Sequence, residues 1–156
     1  MRVTVMGLGL FGGALATVRF FAERGDEVTV TDLKHEKDLK PSLDKLAGLK
    51  LKLVLAEHRE DDFAHADLDI ANPAVPPDNP LLALATRHQI PVETELGVFV
   101  AHNPAPWIGI TGSAGKTTTT AMTYAVLKSG SRRVWLGGNI GGSLLPQLPE
   151  IRPEDL

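Results

Sequence analysis

The feature that most constrains the fold is a glycine-rich turn near the start of the chain. Residues 3–6 (Val-Thr-Val-Met) form the pattern of a short buried strand, and residues 12–24 form that of a helix closed by Gly25. Between them, residues 7–12 read Gly-Leu-Gly-Leu-Phe-Gly, which has the G-x-G-x-x-G spacing. A strand, a glycine turn and a helix in this order predict a right-handed βαβ unit in a parallel sheet.

The same turn has the chemistry of a nucleotide site. Glycines let the backbone approach a phosphate closely, and the start of a helix offers unpaired N–H groups and a positive dipole end. Asp32 stands twenty residues past Gly12, at the end of the next strand pattern, where its carboxylate could accept hydrogen bonds from a ribose or a base. The residues alone leave two alternatives open, which are a βα turn with no ligand and an ordinary strand-end acid at Asp32.

Strand and helix patterns continue to alternate up to about residue 101. Further strands are predicted at 28–31, 51–55 and 67–71, a brief extended segment at 90–92, and helices at 41–46 and 80–88. The predicted fold class is therefore α/β, with a Rossmann-like parallel sheet domain over residues 1–102.

A proline-rich segment, residues 103–106, is predicted to be a linker to a second part of the chain. There the pattern predicts a strand at 107–111, a helix at 116–128 and a strand at 133–136, and residues 146–156 show no periodicity. Two strands and one helix are too few for a closed α/β domain. Residues 107–156 are therefore expected to be the incomplete start of a P-loop ATP-binding α/β domain.

A second phosphate-loop pattern opens the predicted helix of this second part. Residues 112–117 read Gly-Ser-Ala-Gly-Lys-Thr after a buried strand pattern, although the first glycine comes two residues later than in the strict P-loop spacing. Backbone N–H groups of such a loop can ring an anion, Lys116 can reach the outer phosphates, and the Thr117 hydroxyl can ligate Mg²⁺. The loop predicts an ATP and magnesium site.

Other polar groups are less specific. Asn139 lies in the glycine-rich segment 137–142 and could either bind a phosphate or sugar oxygen or occupy a plain turn. Glu93 and Glu95 alternate along a predicted extended segment, where a strand edge is favoured over a shared site. The acidic residues 57–62 are predicted to form a solvated face, and the five histidines have no metal-ligand spacing.

Composition excludes several classes of protein. The chain has 156 residues, 43% of them hydrophobic, and no cysteine, which removes disulfide scaffolds, thiolate zinc sites and thiol nucleophiles. The net charge of −3 and the lack of a basic block argue against a nucleic-acid surface. The apolar run 3–18 imitates a signal peptide, but its glycines mark a strand-to-helix switch, so a cytoplasmic protein without a membrane span is expected.

Five segments together resemble the Mur ligase family of peptidoglycan precursor synthesis, especially its D-glutamate-adding branch. They are the glycine turn 7–12, Asn72-Pro73-Ala74-Val75, residues 93–96 (Glu-Thr-Glu-Leu), the loop 109–118 and Gly138-Asn139-Ile140-Gly141. Their order and spacing span nearly the whole chain. The resemblance implies an ATP- and Mg²⁺-dependent ligase that joins D-glutamate to UDP-N-acetylmuramoyl-L-alanine through an acyl phosphate.

The resemblance also implies which residues bind each substrate. The UDP substrate would be bound by Gly7, Gly9, Leu10, Phe11, Gly12, Asp32, Leu33, Asn72, Pro73, Ala74 and Asn139. ATP would be bound by Gly112, Ser113, Ala114, Gly115, Lys116, Thr117 and Thr118, with Lys116 and Thr117 as the catalytic residues and Thr117 as the metal ligand. Three positions depart from the family pattern, because Ser113-Ala114 replaces Thr-Asn, Ala74 replaces Gly, and Phe11 replaces a common Thr.

The family's later catalytic groups and its amino-acid-binding domain find no match in this sequence. The chain is therefore expected to be an N-terminal fragment that is inactive alone, with apolar surface exposed after residue 106 and a tendency to self-associate. Its last residues, 154–156, resemble the approach to the family's next strand. The alternatives are an NAD(P)-dependent oxidoreductase and a sibling Mur ligase with a different amino-acid substrate.

Overall fold

The computed structural model describes residues 1–9 and 13–156. The chain divides into two compact units, Met1–Val98 and Phe99–Leu156. The linker predicted at 103–106 lies within the second of these units.

The first unit alternates strands and helices. Its strands are β1 (Arg2–Met6), β2 (Glu27–Asp32), β3 (Leu51–Leu55), β4 (Leu68–Ala71) and β5 (Val92–Glu93). Its helices are α1 (Gly13–Glu23), α2 (Glu36–Leu43), α3 (Glu60–Ala64), α4 (Pro80–Arg87) and α5 (Glu95–His102), the last of which crosses into the second unit, and a 3₁₀ turn, Asp44–Leu46, follows α2.

Among the described residues, the five strands form one sheet in the order β3-β2-β1-β4-β5, with every pairing parallel. The predicted parallel α/β architecture is confirmed. The strand order reverses direction between β1 and β4, and in open α/β sheets ligands bind at such a switch point, beyond the carboxyl ends of the strands.

Helix α1 covers one face of the sheet. Val3 and Val5 of β1 are 1% exposed and alternate with Thr4, so they lie on the same face. The helix buries Leu15, Val18 and Phe21 among others. It ends as the sequence predicts, because Gly25 adopts a φ of +85° and the hydrogen bonds Gly25 N–Ala22 O and Asp26 N–Phe21 O, both 3.1 Å, complete a Schellman motif.

The opposite face of the sheet is apolar at the carboxyl ends of β1 and β4 and polar nearer to their amino ends. Met6 and Ala71 pack with Phe63 and Leu82 in one buried cluster. Two residues earlier on β1 and β4, Thr4 and Asp69 lie side by side on the same face. The register continues this row through Thr29 of β2 and Lys52 of β3. Parallel strands in α/β folds are usually apolar on both faces, so this polar row needs partners.

Helix α3 supplies some of those partners through Asp62. The Thr4 hydroxyl donates to the Asp62 carbonyl at 2.6 Å, and Lys52 forms an ion pair with the Asp62 carboxylate. The acidic segment predicted to be a solvated face therefore includes a helix, with Phe63 fully buried beneath it.

The second unit contains helix α6 (Lys116–Lys128) and a 3₁₀ turn, Leu145–Glu150. The predicted helix is confirmed. The strands predicted at 107–111 and 133–136 were wrong, because no strand is present in residues 99–156, all of which the structure describes. A strand needs a paired neighbour, and here residues 107–111 have no ladder partner.

Residues 133–135 pair through their backbone with Leu156. Trp135 N donates to Leu156 O at 2.7 Å and Leu156 N donates to Arg133 O at 3.0 Å, which is the pattern of a parallel bridge. The Trp135 indole N–H donates to Asp155 Oδ2 at 2.9 Å, and this bond holds the Asp155 pKa below its usual range. The Arg133 guanidinium stacks over the Trp135 ring, with its Cζ 3.9 Å from the ring centroid.

Apolar surface is exposed after residue 106, as expected. Trp107, Ile108, Met122 and Val126 are 53%, 57%, 65% and 71% exposed. Helix α6 buries no residue. In the part of the chain that the structure describes, no helix is long and apolar enough to cross a bilayer.

Asp69, on β4, is a buried acid of the first unit that lacks hydrogen-bond partners for its carboxyl group. Its side chain is fully buried, and neither carboxyl oxygen has a hydrogen-bond partner among the described residues. Burial raises its pKa to about 7 from 3.8, and the neighbouring Thr4 hydroxyl offsets only part of this effect. Asp69 is therefore protonated in the folded chain under mildly acidic conditions.

This raised pKa predicts that Asp69 makes the fold less stable as the pH rises. Between about pH 4 and about pH 7 the folded state keeps a proton that the unfolded state has released, so stability falls over this window. We expect Asp69→Asn to remove a decline on the order of 4 kcal/mol from the urea-unfolding free energy of the wild type across this range.

Asp67→Asn is the control, because the pKa of Asp67 is shifted in the opposite direction to that of Asp69. The Arg2 guanidinium, 2.9 Å away, lowers the Asp67 pKa, so its contribution is lost as the pH falls. Parallel pH profiles for the wild type and Asp69→Asn would contradict the assignment to Asp69.

Candidate nucleotide-binding site

The glycine turn after β1 lies at the switch point of the sheet. Gly7 N donates to Thr31 O of β2 at 2.8 Å, while Asn72 N, just past β4, donates to Met6 O at 3.1 Å. Gly7 has a φ of +84°, and a Cβ there would lie 3.2 Å from the Asn72 Cβ. This position needs glycine both for its conformation and for the close approach of the 72–75 turn.

Asp32 holds this turn in place. Its Oδ2 accepts the Gly9 N–H at 3.1 Å and its Oδ1 accepts the Lys34 N–H at 2.9 Å. The side chain of Ser42, on α2, donates to Gly9 O at 2.8 Å, so both backbone polar groups of Gly9 are engaged. Asp32 is only 8% exposed. The structure therefore gives it an internal partner, and its contact with a ligand stays a prediction.

Asn72 connects the two sides of the switch point. Its Nδ2 donates to Gly7 O at 3.1 Å, and its Oδ1 accepts the Ala74 N–H at 3.0 Å. A further bond of 2.8 Å, from Val75 N to Asn72 O, closes the turn. The structure thus brings Gly7, Gly9, Asp32 and Asn72 together.

The remaining residues predicted for this site are placed differently. Pro73 and Ala74 are exposed on the turn after β4. Leu33 is 68% exposed just past β2. Leu10, Phe11 and Gly12, also predicted for this site, lie outside the described residues.

The charged residues at the start of α2 were not among the predicted site residues. His35, Lys37 and Lys40, with Glu36, line an open depression at the start of α2. The signal was available, because a charged stretch directly follows the strand that ends in Asp32. Positive side chains at the carboxyl end of β2 favour an anionic ligand.

Glu95 was also placed wrongly by the sequence analysis, which predicted an extended segment there. Thr94 Oγ1 accepts the Gly97 N–H at 3.2 Å, as an N-cap side chain does, and α5 begins at Glu95. The missed signal was a threonine immediately before an apolar run. As a result the Glu95 carboxylate lies against Gly13 of α1, where a Cβ would overlap Oε2 and lie 3.3 Å from Cδ.

The second phosphate loop has glycines in conformations that other residues rarely adopt. Gly112 has a φ of +146°, and Gly115, which precedes α6, has a φ of +75° with no heavy atom within 4 Å of an added Cβ. The Lys116 ammonium donates back to the Gly112 carbonyl across the loop. Ser113, Ala114, Thr117 and Thr118 are exposed around it.

Asn139 is exposed at the tip of a tight glycine turn in the second unit. Gly138 N donates to Gly142 O at 2.9 Å, and a Cβ on Gly141 would overlap the Leu136 carbonyl. The turn therefore needs glycine and presents the amide side chain outward. Its predicted contact with the UDP substrate stays a prediction.

Comparison with known proteins identifies the family. The model of the family described as "Mur ligase MurD-like, N-terminal domain" matches residues 1–94. The chain belongs to this family. The resemblance given by the sequence motifs is confirmed.

Curated relatives extend the similarity through the second unit. The chain is 45% identical over 150 residues to the UDP-N-acetylmuramoylalanine–D-glutamate ligase of Roseiflexus sp. (strain RS-1), which covers 96% of this chain and 32% of that protein. It is 43% identical over 147 residues to the ligase of the same name from Borreliella afzelii (strain PKo), covering 93% and 32%. The chain thus spans about a third of the length of these relatives.

A solved structure shows the same fold. The crystal structure of UDP-N-acetylmuramate–alanine ligase MurC from Thermotoga maritima is 32% identical, with a TM-score of 0.51, over 88% of this chain and 32% of that chain. The parallel sheet described above is therefore one found in Mur ligases.

The bonds at Asp32 predict that this carboxylate stabilises the glycine turn. We expect Asp32→Ala to lower the urea-unfolding free energy of the first unit by about 1–3 kcal/mol, because it leaves the N–H groups of Gly9 and Lys34 without their acceptor. Asp38→Ala, at an exposed position on α2, is the matched control and should change it by less than about 0.5 kcal/mol. Equal effects of the two substitutions would contradict the structural role of Asp32.

Proposed function

We propose that this chain is the substrate- and nucleotide-binding part of an ATP-dependent ligase of peptidoglycan precursor synthesis. The reaction would join D-glutamate to UDP-N-acetylmuramoyl-L-alanine in the cytoplasm. The observation that carries the proposal is the agreement of two findings. Residues 1–94 belong to the MurD-like N-terminal family, and curated relatives that match nearly the whole chain are named as ligases of this substrate pair.

In this proposal residues 1–102 bind the UDP substrate. The uracil end would lie near the glycine turn, Asp32 and Leu33, and the pyrophosphate near Asn72, Pro73 and Ala74. Support comes from the hydrogen-bond network that brings Gly7, Gly9, Asp32 and Asn72 together at the sheet's switch point. The exposed amide of Asn139 would add a donor to the same substrate.

Residues 107–156 would form the start of the ATP-binding P-loop domain, after a linker at 103–106. The loop fits a triphosphate, because the glycine conformations at 112 and 115 leave its surface open and the first amides of α6 have no carbonyl one turn earlier to bond. Lys116 would exchange its bond to the Gly112 carbonyl for the outer phosphates, and Thr117 would offer its hydroxyl to Mg²⁺.

When bound, ATP would supply the phosphoryl group that activates the substrate carboxylate, and Mg²⁺ would neutralise phosphate oxygens. The contribution of this chain is to position the two nucleotides and to place the Lys116 charge.

Membership of this family favours a ligase over the NAD(P)-dependent oxidoreductase. A sibling Mur ligase with a different amino-acid substrate differs from the proposed enzyme mainly in how the amino acid is bound. The identity of 45% to a D-glutamate-adding relative favours the proposed branch.

The proposed UDP site predicts ligand-specific stabilisation. UDP-N-acetylmuramoyl-L-alanine at about 100 times its Kd should stabilise the chain by about 2.7 kcal/mol in thermal unfolding, because it binds only the folded state. NAD⁺ at the same concentration should not. Asn72→Ala should reduce the stabilisation, while Asp78→Ala, at an exposed position nearby, should not. Equal stabilisation by NAD⁺ would favour the oxidoreductase instead.

The proposed ATP site predicts that Lys116, at the start of α6, contributes strongly to the affinity for Mg²⁺–ATP. Lys116→Ala should weaken Mg²⁺–ATP binding, measured by isothermal titration calorimetry, by at least about tenfold, because a charge-assisted contact to phosphate is lost. Lys128→Ala is the matched control at the other end of α6, where the ammonium lies 5.4 Å from the Tyr124 ring centroid. Unchanged ATP affinity in Lys116→Ala would contradict this site.

A further inference from the structure

The position of Asn139 depends on the residues immediately before its turn. Gly138 N donates to Gly142 O at 2.9 Å across the base of the turn. A Cβ on Gly141 would overlap the Leu136 carbonyl, so the turn lies directly against the backbone of residue 136. Whatever holds residues 133–136 in place therefore also sets the place of the Asn139 amide.

Residues 133–136 are tied to the segment 152–156. Trp135 N donates to Leu156 O at 2.7 Å, and Leu156 N donates to Arg133 O at 3.0 Å. The Trp135 indole N–H donates to Asp155 Oδ2 at 2.9 Å, which adds a side-chain bond to the backbone pair. Because no strand is present in residues 99–156, all of which the structure describes, these bonds take the place of a sheet.

Asp155 is buried and is itself fixed by a tight turn. The residue is 3% exposed. Its Oδ2 also accepts the Arg152 N–H at 3.1 Å, and Asp155 N donates to Arg152 O at 3.0 Å. A hydrogen bond to a carboxylate is stronger than one to a neutral acceptor. Removing this carboxylate would leave two N–H groups, the indole of Trp135 and the backbone of Arg152, without their acceptor.

We propose that Asp155 is a positioning residue, which holds Trp135 and through it the turn that presents Asn139 to the UDP substrate. Since Asp155 is buried, it acts through the Trp135 indole and not by contact with the substrate. The inference rests on the proposed function, because the contact between Asn139 and the UDP substrate belongs to that proposal.

Three substitutions test the role of Asp155. Asp155→Ala removes the acceptor of the indole N–H. Asp155→Asn is the conservative variant, because its amide oxygen can still accept a hydrogen bond at nearly the same position. Glu154→Ala is the matched control, since Glu154 is the neighbouring acid and is exposed.

The first measurement follows the turn without any ligand. Hydrogen exchange of the Gly138 amide should be at least about fivefold faster in Asp155→Ala, and within about threefold of the wild type in Asp155→Asn. Glu154→Ala should match the wild type. The Tyr124 amide, inside α6, is the internal reference. Its exchange should stay unchanged, whereas general destabilisation of the second unit would accelerate it as well.

The second measurement is the affinity for UDP-N-acetylmuramoyl-L-alanine by isothermal titration calorimetry. Asp155→Ala and Asn139→Ala should each weaken binding by about five- to tenfold, because one hydrogen bond to the substrate is lost or misplaced. The double variant should bind no more weakly than Asn139→Ala alone, since Asp155 acts through the same amide. Asp155→Asn should restore most of the affinity.

Three outcomes would overturn the inference. They are unchanged Gly138 exchange in Asp155→Ala, wild-type affinity in Asn139→Ala, and losses of affinity that multiply in the double variant. If Asp155→Ala does not fold, Trp135→Phe removes the indole donor but keeps an aromatic ring, and it should give the same two results. Their absence there counts equally against the inference. A wild-type chain that does not bind the UDP substrate would count against the proposed function, whereas the exchange of Gly138 still decides whether Asp155 holds the turn.

Discussion

The hydrogen bonds at the carboxyl end of β1 determine where this fold can bind a ligand. Strand β1 is paired with β2 on one side and with β4 on the other. Gly7 stays bonded to β2, while Asn72, after β4, bonds back to Met6. The strand order alone predicts a ligand-binding position at this end of the sheet, and glycine at residue 7 is what lets the 72–75 turn approach the chain after β1.

Several polar groups in the described part of this turn are bonded within the chain itself. Glycine turns at the start of a helix are suited to anions because their N–H groups lack partners. Here Asp32 accepts two backbone N–H groups, Ser42 donates to Gly9 O, and Glu95 lies at the start of α1. These bonds tie Gly9 to β2 and α2.

The sequence predicts those parts of the fold whose signals are local. Alternating apolar residues predict β1 and β2, and the pair Asn79-Pro80 marks the start of α4, where Asn79 Oδ1 accepts the Leu81 N–H at 2.9 Å. The internal role of Asp32 could not be read in the same way, because it depends on the spatial meeting of β2 with the turn after β1. Glu95 shows a different limit. Its neighbour Thr94 carries a capping signal, but the space for its carboxylate comes from Gly13, which is 82 residues away in sequence.

In the second unit, the conformations that depend on nearby residues form, whereas the predicted strands, which need distant partners, do not. Residues 107–111 and 133–136 have strand-like composition, yet they form no strand, because β propensity expresses packing against neighbours more than a backbone preference. Only Leu156 pairs with residues 133–135, in a parallel arrangement. The phosphate loop forms nevertheless. Its shape depends on two glycine conformations and on the first turn of α6, none of which requires the helix to be buried. The conformation of the loop is therefore encoded locally at 112–117, whereas a sheet beside it depends on distant strand partners.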